Sequence, residues 1–593
     1  MVSKPQAGTA QQVAQGRGGG RGGGARQFID RPGSDFMVDV LKTLNLEYVS
    51  TNPGSSFESL HESLINYGNN TMPEMLTCCH EESAVAMAHG YAKIEGKPMM
   101  ALVHGTVGLQ HASMAIYNAY ADRVPVYIMV GNHADGAQRG AGVESYHSAQ
   151  DMGALVRDYV KWDDQPYSLG HFAESAVRAY KIAMTPPMEP VLIVASHEIQ
   201  STPAPATTPR IPKLTLTSPP SADAATVTEV ARMLVNAQSP LIVAQRAART
   251  PNGMKLLVEL AETIQSPVNN QDRMNFPSRH PLAGTGGAGY QADVTLFLEV
   301  SDVSAAARTA KARGGKTVNI TAMTLSHKSN IQDFGHYPAD LDLDIGADAE
   351  ATLPALIEEC KKLITADRRR EMNDRAAKVG AAHKQGWARA IDQANLGWDA
   401  SPVSLNRLCA ELWPLIKDED WSLVSWQGFI SNWPGTLWNF DKYHQYTGAS
   451  GGGGMGYGAP ATVGAALANK KHGRLSIAIQ CDGDLNYAPG VLWTAAHHRI
   501  PLLTIMHNNR GYHAELMLLE QQASLHNRGA DRCHIGTKLW DPDISYAKMA
   551  EAYGLYGQGP ITDPKDLPAA LKRGIERVKK GEPALIDVVT QPR

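Results

Sequence analysis

The sequence predicts an α/β protein made of three doubly wound, parallel-sheet domains. Three observations carry that expectation. At 593 residues the chain is too long for a single hydrophobic core, so three to four domains are expected. Short apolar runs such as Leu475–Ile479, Ile500–Met506 and Val124–Val130 suit strands buried on both faces of a sheet. These runs alternate with helix-like segments, the order that parallel sheets with crossover helices produce.

Composition bounds the function. With 43% apolar and 19% charged residues the chain reads as an ordinary globular protein. It has no 18-residue apolar run, so no membrane partner is expected, and no apolar leader, so no secretory signal is expected. Its six cysteines show no CxxC spacing, which suits a reducing, cytoplasmic setting. A net charge of −4 argues against a nucleic-acid partner.

Taken in order, residues 1–28 form a Gly/Arg-rich tail (GRGGGRGGGAR at 16–26) that cannot bury enough apolar surface to fold. The N-terminal domain, 29–200, starts with a helix at Asp35–Leu44. Strands follow at Tyr48–Ser50, Met75–Cys79, Met99–Val103 and Val124–Val130. Residues 143–162 read as a loop and helix leading to a strand. A Pro/Ser/Thr-rich linker, 201–222, precedes a central α/β domain, 223–365. That domain contains GTGGAG (284–289), a formal dinucleotide fingerprint. It lacks the required strand before and helix after it, so the central domain is read as structural and no flavin is called for. A charged helical linker, 366–399, leads to the C-terminal domain, 400–593.

The most informative stretch is the βαβ unit from Arg474 to Glu515, which puts Asp482 and Asn509 at the carboxyl ends of two parallel strands, where open α/β sheets bind ligands. A carboxylate and a carboxamide beside a Gly-rich turn suit a hard cation such as Mg²⁺, with Gly511 able to turn a carbonyl inward. An EF-hand is excluded because Tyr487 and Trp493 occupy the positions where that loop needs Gly and Glu. In the N-terminal domain, polar clusters containing Ser55, Glu81 and His104 follow successive strands, a recurrence that points to a site more than any one does.

These segments resemble the thiamine-diphosphate (ThDP) enzymes. CDGD, followed 27 residues later by the second Asn of NN, is similar to their diphosphate and Mg²⁺ motif, with Cys481 where the family usually has Gly. HEESAVAMAHGYAK (80–93) resembles their cofactor-activating glutamate segment. NPGS (52–55) and LVHG (102–105) resemble the active-site Ser and His segments of benzoylformate decarboxylase. GASGGGGMGYGAP (448–460) matches the loop whose bulky residue props the bent cofactor, and GYHAE (511–515) resembles the GYTIE of pyruvate decarboxylases.

By this resemblance Gly453, Met455, Asp482, Gly483, Asp484, Asn509 and Gly511 hold ThDP, with Mg²⁺ on Asp482, Asn509 and Gly511. Glu81 activates the cofactor. Ser55, His104, His513 and Glu515 face a small 2-oxo acid. The implied reaction is decarboxylation through an ylide and an enamine, with possible carboligation. An acetolactate-synthase-like carboligase is the alternative, and a non-catalytic scaffold of the same fold is a third reading. The resemblance also implies a homodimer or homotetramer with active sites between subunits. His147 could match a catalytic His of the pyruvate-decarboxylase group or be solvated surface. His89, His111, His133 and Trp426 either line the pocket or pack.

Overall fold

The computed structural model describes residues 29–138, 146–326, 328, 340–426 and 432–591, so the expected tail at 1–28 lies outside the described residues. Three parallel sheets make up the framework. The first contains β1 (Tyr48–Thr51), β2 (Glu74–Thr77), β3 (Met100–Val103), β4 (Tyr127–Asn132), β5 (Trp162–Asp164) and β6 (Val191–Ser196), in the order β2-β1-β3-β4-β6-β5. The second contains β7 (Pro240–Ala244), β8 (Val268–Asn270), β9 (Val294–Leu298), β10 (Lys316–Ile320) and β11 (Leu343–Ile345), ordered β11-β10-β9-β7-β8. The third contains β12 (Trp421–Trp426), β13 (Leu475–Cys481), β14 (Leu503–Asn508), β15 (Tyr556–Ile561) and β16 (Ala584–Val589), ordered β12-β13-β14-β16-β15. In the first sheet the winding reverses between β1 and β3, a topological switch point that opens a crevice at the carboxyl ends.

Several strand limits differ from expectation for local reasons. β4 begins at Tyr127 rather than Val124 and β14 at Leu503 rather than Ile500, because Pro125 and Pro501 lack the N–H a ladder needs. The stretch 143–162, read as a loop and helix leading to a strand, is described from Tyr146, which is helical, and carries no further α-helix from residue 147 on. There, two short 3₁₀ turns, Gly153–Leu155 and Arg157–Tyr159, are tied down by Arg157, which bonds both Asp151 and Asp163. The GTGGAG stretch is a loop with Gly284, Gly286, Gly287 and Gly289 at positive φ, between Ala283 and β9.

Five helices matter for the site. α1 (Glu81–Glu95) starts at His80, whose ring caps the Glu82 amide, and stops at Gly96 in the left-handed conformation. α2 (Val107–Ala121) follows β3, and α3 (Ala366–Gln393) is the long helix between the second and third sheets. α4 (Gly458–Lys470) and α5 (His513–Leu525) belong to the third sheet's domain. Among the described residues no helix is long and apolar enough to cross a membrane.

α1 and α4 cross face to face and share one hydrophobic cluster with the first and third sheets, including Val103, Val130, Met87, Val463, Leu492 and Met506. Their small residues set the approach. A Cβ on Gly464 would lie 1.8 Å from the Met87 carbonyl oxygen, and one on Gly90 would lie 2.0 Å from that of Ala461. These backbones touch because both positions are glycine. Gly464→Val is therefore expected to cost about 3 kcal/mol through overpacking, read as a lower denaturation midpoint. An unchanged midpoint would mean that the crossing is looser than described.

Candidate active site

The C-terminal half of the site rests on β13 and β14, which pair with Cys481 opposite His507, so Asp482 and Asn509 emerge side by side. Asp482 is 1% exposed. Its Oδ1 accepts the Gly483 amide at 2.9 Å and its Oδ2 the Gly511 amide at 3.1 Å. The Asn509 Oδ1 accepts the same Gly511 amide at 3.2 Å. Two side-chain oxygens thus converge on one N–H. Burial pushes the Asp482 carboxyl up to about 6 despite its backbone donors. A buried carboxylate beside a carboxamide oxygen is a donor set that suits a hard divalent cation.

Asp484 is differently placed. Its carboxylate accepts the Gly456 amide at 2.7 Å, the Gly458 amide at 3.1 Å and the Gln480 Nε2 at 2.6 Å. It therefore anchors the glycine loop to β13. Gly483 sits under the Tyr512 ring, where a Cβ would fall 2.6 Å from a ring carbon. His513 Nε2 lies 3.0 Å from the Asn509 carbonyl oxygen, while Glu515 is exposed on the first turn of α5.

The glycine loop is also gripped from the N-terminal domain. Asn118 on α2 clips Gly454 at both ends, donating to its carbonyl at 3.2 Å and accepting its amide at 3.1 Å. Lys93 on α1 donates to the carbonyls of Gly448 (3.1 Å) and Ala449 (2.7 Å). Gly453 has φ +69° and nothing within 4 Å of the place a Cβ would occupy, so a ligand can approach the backbone there. Met455 follows it, half-buried.

Beneath the loop, Asp122 holds a buried charge cluster. One carboxylate oxygen meets His89 Nε2 (2.9 Å) and Lys93, and the other meets Arg273 (3.0 Å), with Arg246 at 3.8 Å. Burial opposes the Asp122 charge, but Lys93 and Arg273 outweigh it and hold the carboxyl far below its ordinary value. Burial brings Lys93 down to about 8 and His89 to about 4.

The N-terminal half lies at the β1–β3 switch. Ser56, one residue beyond the expected Ser55, reaches His104: its Oγ is 2.8 Å from His104 Nδ1 and accepts the Gly105 amide at 2.9 Å. Ser55 is half-buried at the start of the short 3₁₀ turn Ser55–Phe57. His104 Nε2 is 2.7 Å from His147 Nδ1, making a Ser56–His104–His147 chain. Burial first, then His147, lowers the His104 pKa, so its ring is neutral near pH 7.

Glu81 is 3% exposed, with its Oε2 3.2 Å from His111 Nδ1. A Cβ on Gly108 would crowd Glu81 Oε1 at 2.8 Å. Glu82 turns the other way, towards Gly456 and Asp484. His133 is buried against His197, and the Trp426 side chain lies outside the described residues.

Sequence reasoning missed Ser56, Lys93, Asn118 and Asp122. The neighbouring serine in NPGSS was a signal for Ser56, whereas the other three have no local signature.

Two expectations follow. Asp122→Asn removes the carboxylate that Lys93 and Arg273 meet directly, leaving Asp272, 3.5 Å from Arg246, as the acid beside the arginines. It is expected to cost about 3–5 kcal/mol and to open the glycine loop to proteolysis; an unchanged melt and digest would exclude a structural role for the cluster. Glu82 is raised to about 7, by burial first and then by Asp484. The folded chain keeps this proton where the unfolded chain, at its ordinary 4.5, has lost it, so stability falls between about pH 4.5 and 7. Glu82→Gln is expected to flatten that part of a melting-temperature-against-pH curve relative to the parent. Superimposable curves would show that Glu82 does not titrate there.

Comparison with known proteins bears on the two halves together. The model for the thiamine pyrophosphate enzyme N-terminal TPP binding domain matches residues 31–153, and that for the C-terminal TPP binding domain matches residues 427–588. The chain is 24% identical to the benzoylformate decarboxylase of Pseudomonas aeruginosa over 526 residues, covering 86% of this chain and 91% of that one. It is also 24% identical to the mitochondrial acetolactate synthase catalytic subunit of Aspergillus candidus over 619 residues, covering 95% and 81%. The crystal structure of benzoylformate decarboxylase from Polynucleobacter necessarius superposes with a TM-score of 0.73 at 18% identity, covering 95% of this chain and 99% of that one. With three parallel-sheet domains of that architecture, the chain carries the N-terminal and C-terminal TPP binding domains of the thiamine pyrophosphate enzymes.

Proposed function

We propose that the protein is a ThDP- and Mg²⁺-dependent decarboxylase of a 2-oxo acid of the benzoylformate or pyruvate type, working as a homodimer or homotetramer. The observation that carries this reading is the Ser56–His104–His147 chain at the β1–β3 switch. A decarboxylase must position a carboxylate and then deliver a proton to carbon, and a hydrogen-bonded imidazole pair is suited to both tasks.

The residues fit the cofactor. Asp482 and Asn509 offer converging oxygens for a Mg²⁺-diphosphate, and the open face of Gly453 leaves room for an aromatic ring. When bound, the cofactor supplies a carbon nucleophile and an electron sink. Met455 would support its bend. Glu81, buried and held by His111, would bond a ring nitrogen and take or return its proton. His513, next to Asn509, and Glu515 would stand on the substrate side.

Ser56 accepts from Gly105 and can direct its own proton to His104 Nδ1. That arrangement leaves the His104 Nε2 proton for His147 and satisfies all three bonds at once. In that tautomer the donor direction runs from Ser56 through His104 to His147, and the imidazole pair would pass a proton between solvent and the product side. General acid–base steps of this kind contribute roughly 10²–10⁴-fold.

The near full-length match to an acetolactate synthase favours a second reading, carboligation of two 2-oxo acids. Product analysis separates the two. With ThDP and Mg²⁺ the protein is expected to release CO₂ and a free aldehyde from one member of a panel of pyruvate, branched-chain oxo acids, phenylpyruvate and benzoylformate. Acetolactate or a 2-hydroxy ketone would assign it to carboligation instead. Glu81→Gln is expected to lower turnover by about 10²-fold or more with calorimetric ThDP affinity nearly intact; full activity in that variant would remove Glu81 from the mechanism.

A further inference from the structure

We propose that His80, Glu81 and His111 form a second metal site, for zinc or a similar transition cation, whose occupancy inhibits the enzyme. The inhibition rests on the reading of Glu81 as the acid that faces the cofactor; the site itself rests on geometry alone. His80 ends the connection after β2, Glu81 opens α1, and His111 lies one turn into α2. One ring nitrogen from each imidazole and one carboxylate oxygen all lie within 4.8 Å of one another.

Bonds of about 2.1 Å around a tetrahedral ion put its ligands roughly 3.4 Å apart. Glu81 Oε2 and His111 Nδ1 are already 3.2 Å apart. The His80 and His111 rings stack at 4.7 Å with 24° between their planes, so closure around an ion needs only ring rotation about broad terminal torsions.

The donor chemistry separates this site from the one at Asp482. Two imidazoles and one carboxylate suit Zn²⁺, Co²⁺, Ni²⁺ or Cu²⁺, whereas Mg²⁺ takes oxygen ligands. In the single chain the His111 side chain is 56% exposed, although Glu81 behind it is buried. A solvent-borne ion would meet His111 first and then the carboxylate. With three protein ligands the ion would keep a water and remain exchangeable. An ion bound there occupies the carboxylate that the cofactor needs, so the metal and ThDP exclude each other at Glu81.

The test uses the full chain with Mg²⁺ and no ThDP, titrated with Co²⁺ as a spectroscopic probe and with Zn²⁺ by calorimetry. One Co²⁺ per chain is expected, with the visible absorption of a four- or five-coordinate ion. Loss of a supporting residue behind a ligand costs 10–100-fold in affinity, so His111→Asn and His80→Asn are expected to weaken binding by at least about 100-fold, with melting midpoints checking that both fold. Absence of the absorption, or its persistence in both variants, would overturn the site. Saturating ThDP is expected to bleach it, and a spectrum unaffected by ThDP would overturn the mutual exclusion.

The cobalt readout does not depend on turnover. If Glu81→Gln abolishes cobalt binding yet leaves turnover intact, the metal site stands and the catalytic reading of Glu81 falls. If turnover collapses while cobalt binds as before, the reverse holds.

Discussion

The contact between Asp122 and Lys93 is the one on which the site's geometry depends. It joins the end of α2 to α1 in the N-terminal domain, and Arg273 and Arg246 bring the second sheet's domain to the same carboxylate. Lys93 reaches on into the C-terminal domain through the carbonyls of Gly448 and Ala449 and the Tyr457 hydroxyl. Three domains therefore meet at one buried charge. A glycine-rich loop has many accessible conformations when free, so a defined cofactor cradle needs rigid donors on every side. Lys93, Asn118 and Asp484 supply them by bonding backbone groups, which leaves the loop's inner face for a ligand.

The packing of α1 on α4 follows the same logic. Both helices are rich in alanine and glycine, and the glycines at 90 and 464 let the backbones come into contact. The apolar cluster that results continues into both the first and third sheets, so within one chain the two cofactor-binding domains form a single packed body. Interiors packed to this density resist deformation. Positions set by α1, such as Glu81 and Lys93, are therefore fixed relative to positions set by α4 and β13, such as Met455 and Asp482.

The sequence carried the strand-end chemistry well, because parallel strands leave a strong local pattern: an apolar run followed by a polar cluster. Asp482, Asn509, Glu81 and His104 could be picked out that way, and β1 and β13 begin where the sequence predicts. What could not be read was anything fixed by distance in space. Asp484 looked like another cofactor ligand from its place in CDGD, yet its oxygens are taken by loop amides and Gln480. Asp122 lies in an ordinary helix-ending AYADR, and only folding surrounds it with three cations. Within 143–162, residues 153–159 take 3₁₀ turns, where the pairing of Arg157 with two aspartates outweighs local helix propensity.

The neighbouring carboxylates Glu81 and Glu82 show how the chain divides its labour. Successive residues on a helix point about 100° apart, so two acids side by side cannot serve the same face. Glu82 turns towards Gly456 and Asp484 of its own chain, and burial there favours its neutral form. It seals the seam between the two domains. Glu81 turns instead to the His111 ring near the start of α2, its hydrogen-bond partner among the described residues.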